Sequence, residues 1–477
     1  MAIPLLGRIR AWEWPVLVIS LVLVALESII FFITMILPAP IILGFRRVSS
    51  RLLALLPSPG AQELSDSPPL NNFVRKVAEA AGFVEICGLF GYEAEEHIVR
   101  TTDGYLLGIH RIGGPRGTDW RRLSDRNGRT NTHRPVVYLH HGLLMNSEVW
   151  VANIDYHRCL PFVLADLGYD VWLGNNRGNK YSKKHITRLS SDKQFWNFSL
   201  DDFALYDIPD TIEYILQTTR QKDLVYIGFS QGSAQAFASL SIHPSLNSKV
   251  KLFIALAPAM APPALKNKIV TSLVKASPSM LYLFFGKKAI LKSTTFWQSI
   301  MLPALFLRTI DFSLDILFKW KCKNISYAQK LVGYSHLYSY TSVKSVVHWF
   351  QIIQSGRFHM YDDEVHNPLL GNQYYYKAAP FPTRNIMTPI VLIYGKIDSL
   401  VDINVMLAEL PQGTAHIGIP EHEHLDMIWG DKVDSLVFPY VLSALRRVEP
   451  DKSLSLPRKH SNLGKLPDKV EKASEVE

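Results

Sequence analysis

The chain has 477 residues, 48% apolar and 19% charged, a mix that buries a large core and excludes disordered and fibrous classes. Lys and Arg outnumber Asp and Glu by 51 to 42, a net charge of +9. Three cysteines, Cys87, Cys159 and Cys322, are too few for a disulfide framework and lack the CxxC spacing of a zinc site, which favours a reducing compartment, with one disulfide plus a free thiol as the alternative.

From Pro15 to Leu37 the sequence reads PVLVISLVLVALESIIFFITMIL, with Glu27 as its one charge. Such a run is long enough to cross a bilayer core of about 30 Å, exceeds a signal-peptide core, and lacks a small-x-small cleavage site. A retained membrane segment is expected. Arg8 and Arg10 precede it and Arg46, Arg47 and Arg51 follow it, so charge bias assigns no orientation, and both a spanning helix and a hairpin fit.

A linker follows at 57–70, and then short apolar runs alternate with helical stretches. EHIVRTTDGYLLGIHRI at 96–112 reads as an antiparallel hairpin with its tip at Thr102–Gly104. Runs at 135–140, 169–174, 223–229, 251–257, 389–395 and 415–419 read as buried strands of a mostly parallel sheet, the α/β class. The polar loop 113–134 reads as a surface insertion. About 120 residues, 259–380, separate two strands that one helix would connect, so a helical cap is expected there. The chain thus divides into an anchor at 1–56, a linker and amino-terminal region at 57–95, a core in two parts at 96–258 and 381–450 around the cap at 259–380, and a solvated tail at 451–477.

The chemistry starts where strand DLVYIGF runs into Gly228-Phe229-Ser230-Gln231-Gly232, the one GxSxG of the chain. On a sharp strand-to-helix turn such a serine is exposed above the sheet, and the glycines avoid collisions with neighbouring strand and helix. A serine hydroxyl is a poor nucleophile until a base, itself oriented by an acid, takes its proton, and in this class the order is Ser, acid, His. Asp398 follows one late strand and His424 the last, with Asp402 and His422 as rivals. The amides of Leu143, in the His141-Gly142 turn, and of Gln231 are the expected oxyanion donors. No metal or organic cofactor is called for.

HHGLL at 140–144, GNNRGN at 174–179, FWNFSLDDFALYDIPDTIEYI at 195–215, GFSQGSAQAF at 228–237, GKIDSLVD at 395–402 and HEHLDMIW at 422–429 together resemble the acid lipase family of gastric and lysosomal lipases. The likeness covers about residues 90–445, and the amino-terminal segment makes it closest to the membrane-anchored fungal steryl ester hydrolases. The resemblance implies an α/β-hydrolase fold, a triad of Ser230, Asp398 and His424, and a cap over an apolar acyl pocket. It also implies hydrolysis of long-chain neutral-lipid esters, steryl esters ahead of triacylglycerol.

Acyl transfer to an alcohol by the same triad, and an inactive membrane or lipid-droplet tether, are the alternatives. Nucleic acid is not an expected partner. With few cysteines and basic flanks on both sides of the apolar segment, the expected place is the cytosolic face of endoplasmic reticulum or lipid droplets, although Asn197 and Asn324 begin Asn-x-Ser sequons. Residues 264–330 carry eleven Lys or Arg against Asp311 and Asp315. Interleaved with apolar runs, these suit an anionic lipid surface, with Phe284, Phe285, Leu305 and Phe306 expected to face it.

Overall fold

The computed structural model describes residues 68–118, 134–263, 271–291 except 273, 303–363 and 378–449, with isolated positions 14, 18, 21 and 22. Apart from three of those positions, the apolar segment 15–37 lies outside the described residues, as do the tail 451–477 and most of the loop 113–134. Among the described residues no helix is long and apolar enough to cross a membrane.

Among the described residues nine strands form one sheet: β1 (Ala94–Arg100), β2 (Tyr105–Ile112), β3 (Val136–His140), β4 (Asp170–Leu173), β5 (Lys184–His185), β6 (Leu224–Phe229), β7 (Val250–Leu256), β8 (Ile390–Gly395) and β9 (Ala415–Ile419). Their order is β1-β2-β4-β3-β6-β7-β8-β9, with β5 against β2. The first three of that row pair antiparallel and the remainder parallel. This is the α/β-hydrolase arrangement, a mostly parallel sheet whose strands end along one edge.

The pleat of β6 shows why its sequence is continuously apolar. Val225, Ile227 and Phe229 join the core on one face, while Leu224 and Tyr226 join the core on the other. Helices Leu160–Asp166 and Phe438–Val448 cover the first face, and helices Ile208–Thr219 and Gln231–Ile242 the second.

Three sequence expectations change. The linker ends earlier than residue 70, because Pro68 opens a helix to Glu79 in the first turn, where proline's missing N–H costs nothing. The run 415–419 is half-buried, since β9 closes the sheet and has a neighbour on one side. The two-residue β5 was not anticipated, being too short to leave a periodic signal.

In the cap, four helices are described: Pro278–Phe285, Pro303–Phe318, Tyr327–Ser335 and Val343–Ser355. Local signals fix some ends. Ser277 and Ser342 cap the first and last by accepting from Met280 N and Ser345 N, and Gly356 ends the last in a left-handed conformation. Phe284 and Phe306 turn inward and are buried, against expectation, because each lies on the helix face packed on the protein. Phe285 and Leu305 are exposed, and so is Phe312, at 66% the most exposed large apolar residue described on its helix. The acids of the basic segment are both paired, Asp311 with Lys330 and Asp315 with Lys321.

Candidate active site

Ser230 occupies the turn between β6 and helix Gln231–Ile242 with φ 54° and ψ −120°, a strained region for a residue with a side chain. Its amide is held by the Leu256 carbonyl at the end of β7, 3.0 Å away. The turn is as tight as the motif demands, since a Cβ at Gly232 would overlap the carbonyl oxygen of His140 at the end of β3. Gln231 opens the helix, so its amide has no intrahelical partner and is available to an anion above the serine.

Asp398 follows β8 and His424 follows β9. The two loops touch because Gly395 has no side chain, a Cβ there overlapping the His422 carbonyl oxygen. His424 Nδ1 lies 2.6 Å from Asp398 Oδ2, and Asp398 Oδ1 accepts from the Leu400 amide at 2.9 Å. A carboxylate accepts, so Nδ1 carries the proton and Nε2 the lone pair, the form a base needs. Ser230, Asp398 and His424 are all buried, and Ser230 and His424 line one cavity of about 340 Å³.

The rivals have other occupations. Asp402 caps helix Ile403–Glu409 by accepting from the amides of Asn404 and Val405, both at 3.2 Å. His422 donates through Nδ1 to the Pro420 carbonyl at 2.7 Å.

The turn after β3 passes beside the serine, and Leu143 and Leu144 line the same cavity. His141 holds this turn from within. Its Nε2 accepts from the Asn176 amide at 3.2 Å, so Nδ1 is the protonated nitrogen and donates to the Gly142 carbonyl at 2.8 Å. Burial pushes the His141 imidazole down to about 4 and keeps it neutral in this role. The cap fastens the turn from outside, the Ser339 amide donating to the Leu144 carbonyl at 2.6 Å.

Motif reasoning missed what the cap contributes. Trp349 Nε1 donates to Gln231 Oε1 at 2.7 Å, tying a cap helix to the residue beside Ser230. Trp320 stacks on His424 with ring centroids 4.8 Å apart and planes 8° from parallel. Neither contact has a sequence signal, because each joins residues about a hundred positions apart. The rest of the cavity wall is almost wholly apolar, including Met145, Leu314, Phe318, Leu337, Val346 and Phe350. The site can therefore hold a greasy chain beside a hydroxyl, an oriented imidazole and the first-turn amide of Gln231, groups that acyl transfer through a tetrahedral intermediate requires. Among the described residues no cluster of three or more His, Cys, Asp or Glu could hold a metal, and all three cysteines are free and buried.

Comparison with known proteins agrees with this architecture. Residues 135–431 match the model of the alpha/beta hydrolase fold, and residues 83–154 that of a partial alpha/beta-hydrolase lipase region. A probable lipase of Schizosaccharomyces pombe is 55% identical over 381 residues, covering 78% of this chain and 79% of the relative. Human gastric triacylglycerol lipase is 34% identical, covering 75% of this chain and 88% of its own, and human lysosomal acid lipase/cholesteryl ester hydrolase is 32% identical, covering 76% and 90%. The chain belongs to the lipase family of α/β hydrolases, together with the gastric and lysosomal acid lipases, and is a carboxylic ester hydrolase.

Proposed function

We propose that the chain hydrolyses long-chain esters of neutral lipids, steryl esters ahead of triacylglycerol, with Ser230 as nucleophile, His424 as base and then acid, and Asp398 as the orienting carboxylate. The observation that carries the role assignment is the 2.6 Å bond from His424 Nδ1 to Asp398 Oδ2, with His424 and Ser230 on one apolar cavity. His424 Nε2 takes the Ser230 proton as Oγ attacks the ester carbonyl, and the amides of Leu143 and Gln231 receive the oxyanion. The tetrahedral intermediate expels the alcohol, protonated by His424, and leaves an acyl-serine. Water, deprotonated by His424, attacks that acyl group in the second half, releasing the fatty acid and returning the proton to Ser230.

Preference for water-insoluble esters is supported by the apolar wall of the cavity. Phe285, Leu291 and Leu317 line it and are also exposed, so its mouth is greasy. With Leu305 and Phe312 on the same cap and the nearby lysines, such a mouth suits contact with a membrane or lipid-droplet surface on the cytosolic side, to which the apolar segment 15–37 would anchor the chain. The test is turnover by the full chain in detergent of a steryl oleate and of trioleoylglycerol, wild type against Ser230→Ala. Faster release of oleate from the steryl ester, abolished in the variant, is expected. Equal or faster triacylglycerol turnover would reverse the substrate order, and oleate appearing as a new ester of an added alcohol would favour acyl transfer.

A further inference from the structure

The turn that ends cap helix Pro303–Phe318 is fastened to both loops that carry the proposed acid and base. Ser399, next to Asp398, donates from Oγ to the Phe318 carbonyl at 2.7 Å. Glu423, next to His424, accepts from the amides of Lys321 and Cys322, at 2.8 and 2.7 Å. Within this turn two residues are left-handed, Lys319 at φ 63°, which ends the helix, and Cys322 at φ 48°, between the Glu423 tether and the chain beyond. The geometry delivered is the stack of Trp320 on His424. Phe318 stacks in turn on Trp320, centroids 4.4 Å apart, and Phe229 meets the imidazole at 5.1 Å and 52°. Trp320 Nε1 has no hydrogen-bond partner among the described residues, so the stack and the tethers hold the indole where it is.

Resting on the reading of His424 as base, we infer that Trp320 is a positioning residue for the reaction, delivered by the cap turn and set by Glu423. Asp398 fixes one nitrogen of the imidazole, but a single hydrogen bond leaves the ring free to swing about it. A parallel indole at 4.8 Å removes that freedom and fixes where Nε2 points. The same contact acts electrostatically once the proton has moved, because an indole face within about 6 Å attracts a cation and taking the Ser230 proton turns the imidazole into one. A cap usually regarded as a cover thus supplies part of the base's support, and its attachment through Glu423 becomes a requirement of turnover.

The full chain in detergent is assayed with p-nitrophenyl butyrate, a short ester that leaves most of the acyl cavity unused. Trp320→Leu and Glu423→Ala are expected to lower kcat about tenfold or more while KM stays within about threefold, and Trp320→Phe, which keeps a ring to stack, to restore most of kcat. Glu423 is not part of the cavity wall, so its variant reads the tether without altering substrate contact. Should either variant melt early, Glu423→Gln, which keeps one acceptor for the turn, is expected to lose less kcat than Glu423→Ala. Unchanged kcat in Trp320→Leu, or a loss confined to KM for long-chain esters, would overturn the inference and leave Trp320 as pocket wall. Failure of the underlying reading is separately visible, since His424→Ala would then remain active.

Discussion

Replacing Ser230 by alanine removes one oxygen from a buried elbow whose backbone is held by the Leu256 carbonyl, so chemistry is lost and packing is not. Hydrolysis is expected to fall by about 10⁴-fold or more with an unchanged melting midpoint, His424→Ala to be about as severe, and Asp398→Asn milder by roughly an order of magnitude. Steady-state kinetics beside thermal melts separate these outcomes. Asp402→Ala and His422→Ala should keep most activity, although Asp402→Ala removes a helix cap and should cost about 1 kcal/mol in a denaturant titration. Losses from either rival equal to those of Asp398 or His424 would move the triad. At this scale the sequence carried a good deal: a GxSxG after a strand, a GKID and an EHEHLD after two others. What it did not carry is side-chain geometry. Nothing in HEHLDMIW distinguishes a His422 turned to a nearby carbonyl from a His424 turned to a carboxylate, beyond counting from the strand.

The elements are held near the site by a buried ion cluster that no motif announces by itself. Arg177, in the loop after β4, pairs with Asp207 at 2.7 Å and Asp103 at 2.6 Å, joining the β1–β2 turn to the π-helical turn Phe203–Asp207. Arg177 and Asp207 are almost wholly shielded from water, so deleting one partner strands a buried charge. Arg177→Ala is expected to cost about 3–5 kcal/mol of stability by urea titration, with catalysis normal in whatever remains folded. A cost under about 1 kcal/mol would show that the cluster is decorative. Gly232→Ala should be similarly harmful, since its methyl overlaps the His140 carbonyl oxygen. Elements whose periodicity reflects burial on both faces, β3, β4, β6, β7 and β8, were legible from apolar runs. The cap's inner contacts were not, because an amphipathic helix says that one face is buried and leaves open what buries it. Phe284 and Phe306 show the consequence, apolar residues assigned outward from composition that pack inward.

For the molecule as a whole, the exposed apolar residues of the cap and its lysines predict lipid binding that survives loss of the amino-terminal segment. A chain lacking residues 1–50 is expected to float with liposomes containing anionic lipid, and to bind less at high salt or after Lys287, Lys288, Lys319, Lys321 and Lys323 are replaced by Gln, because each exposed cation adds about 1 kcal/mol at most near such a surface. Binding indifferent to both changes would leave attachment to the amino-terminal segment alone. The two sequons bear on the proposed cytosolic placement. Asn324 Nδ2, the atom a glycan would take, donates to the Glu421 carbonyl at 2.7 Å and to Asp426 at 2.9 Å, so no glycan is expected there and an endoglycosidase shift would have to come from the exposed Asn197. Absence of any shift is the outcome expected of a cytosol-facing domain, and glycan mapped to Asn197 would contradict it.

The central claim, that Ser230 is acylated by the ester, is tested most directly by trapping. The full chain incubated with a long-chain alkylphosphonate p-nitrophenyl ester, which mimics the tetrahedral intermediate, and digested for mass spectrometry should show one phosphonyl adduct, on Ser230, with p-nitrophenol released in equal amount and hydrolysis lost in step. Label on another residue, or hydrolysis that persists in protein fully labelled at Ser230, would contradict it.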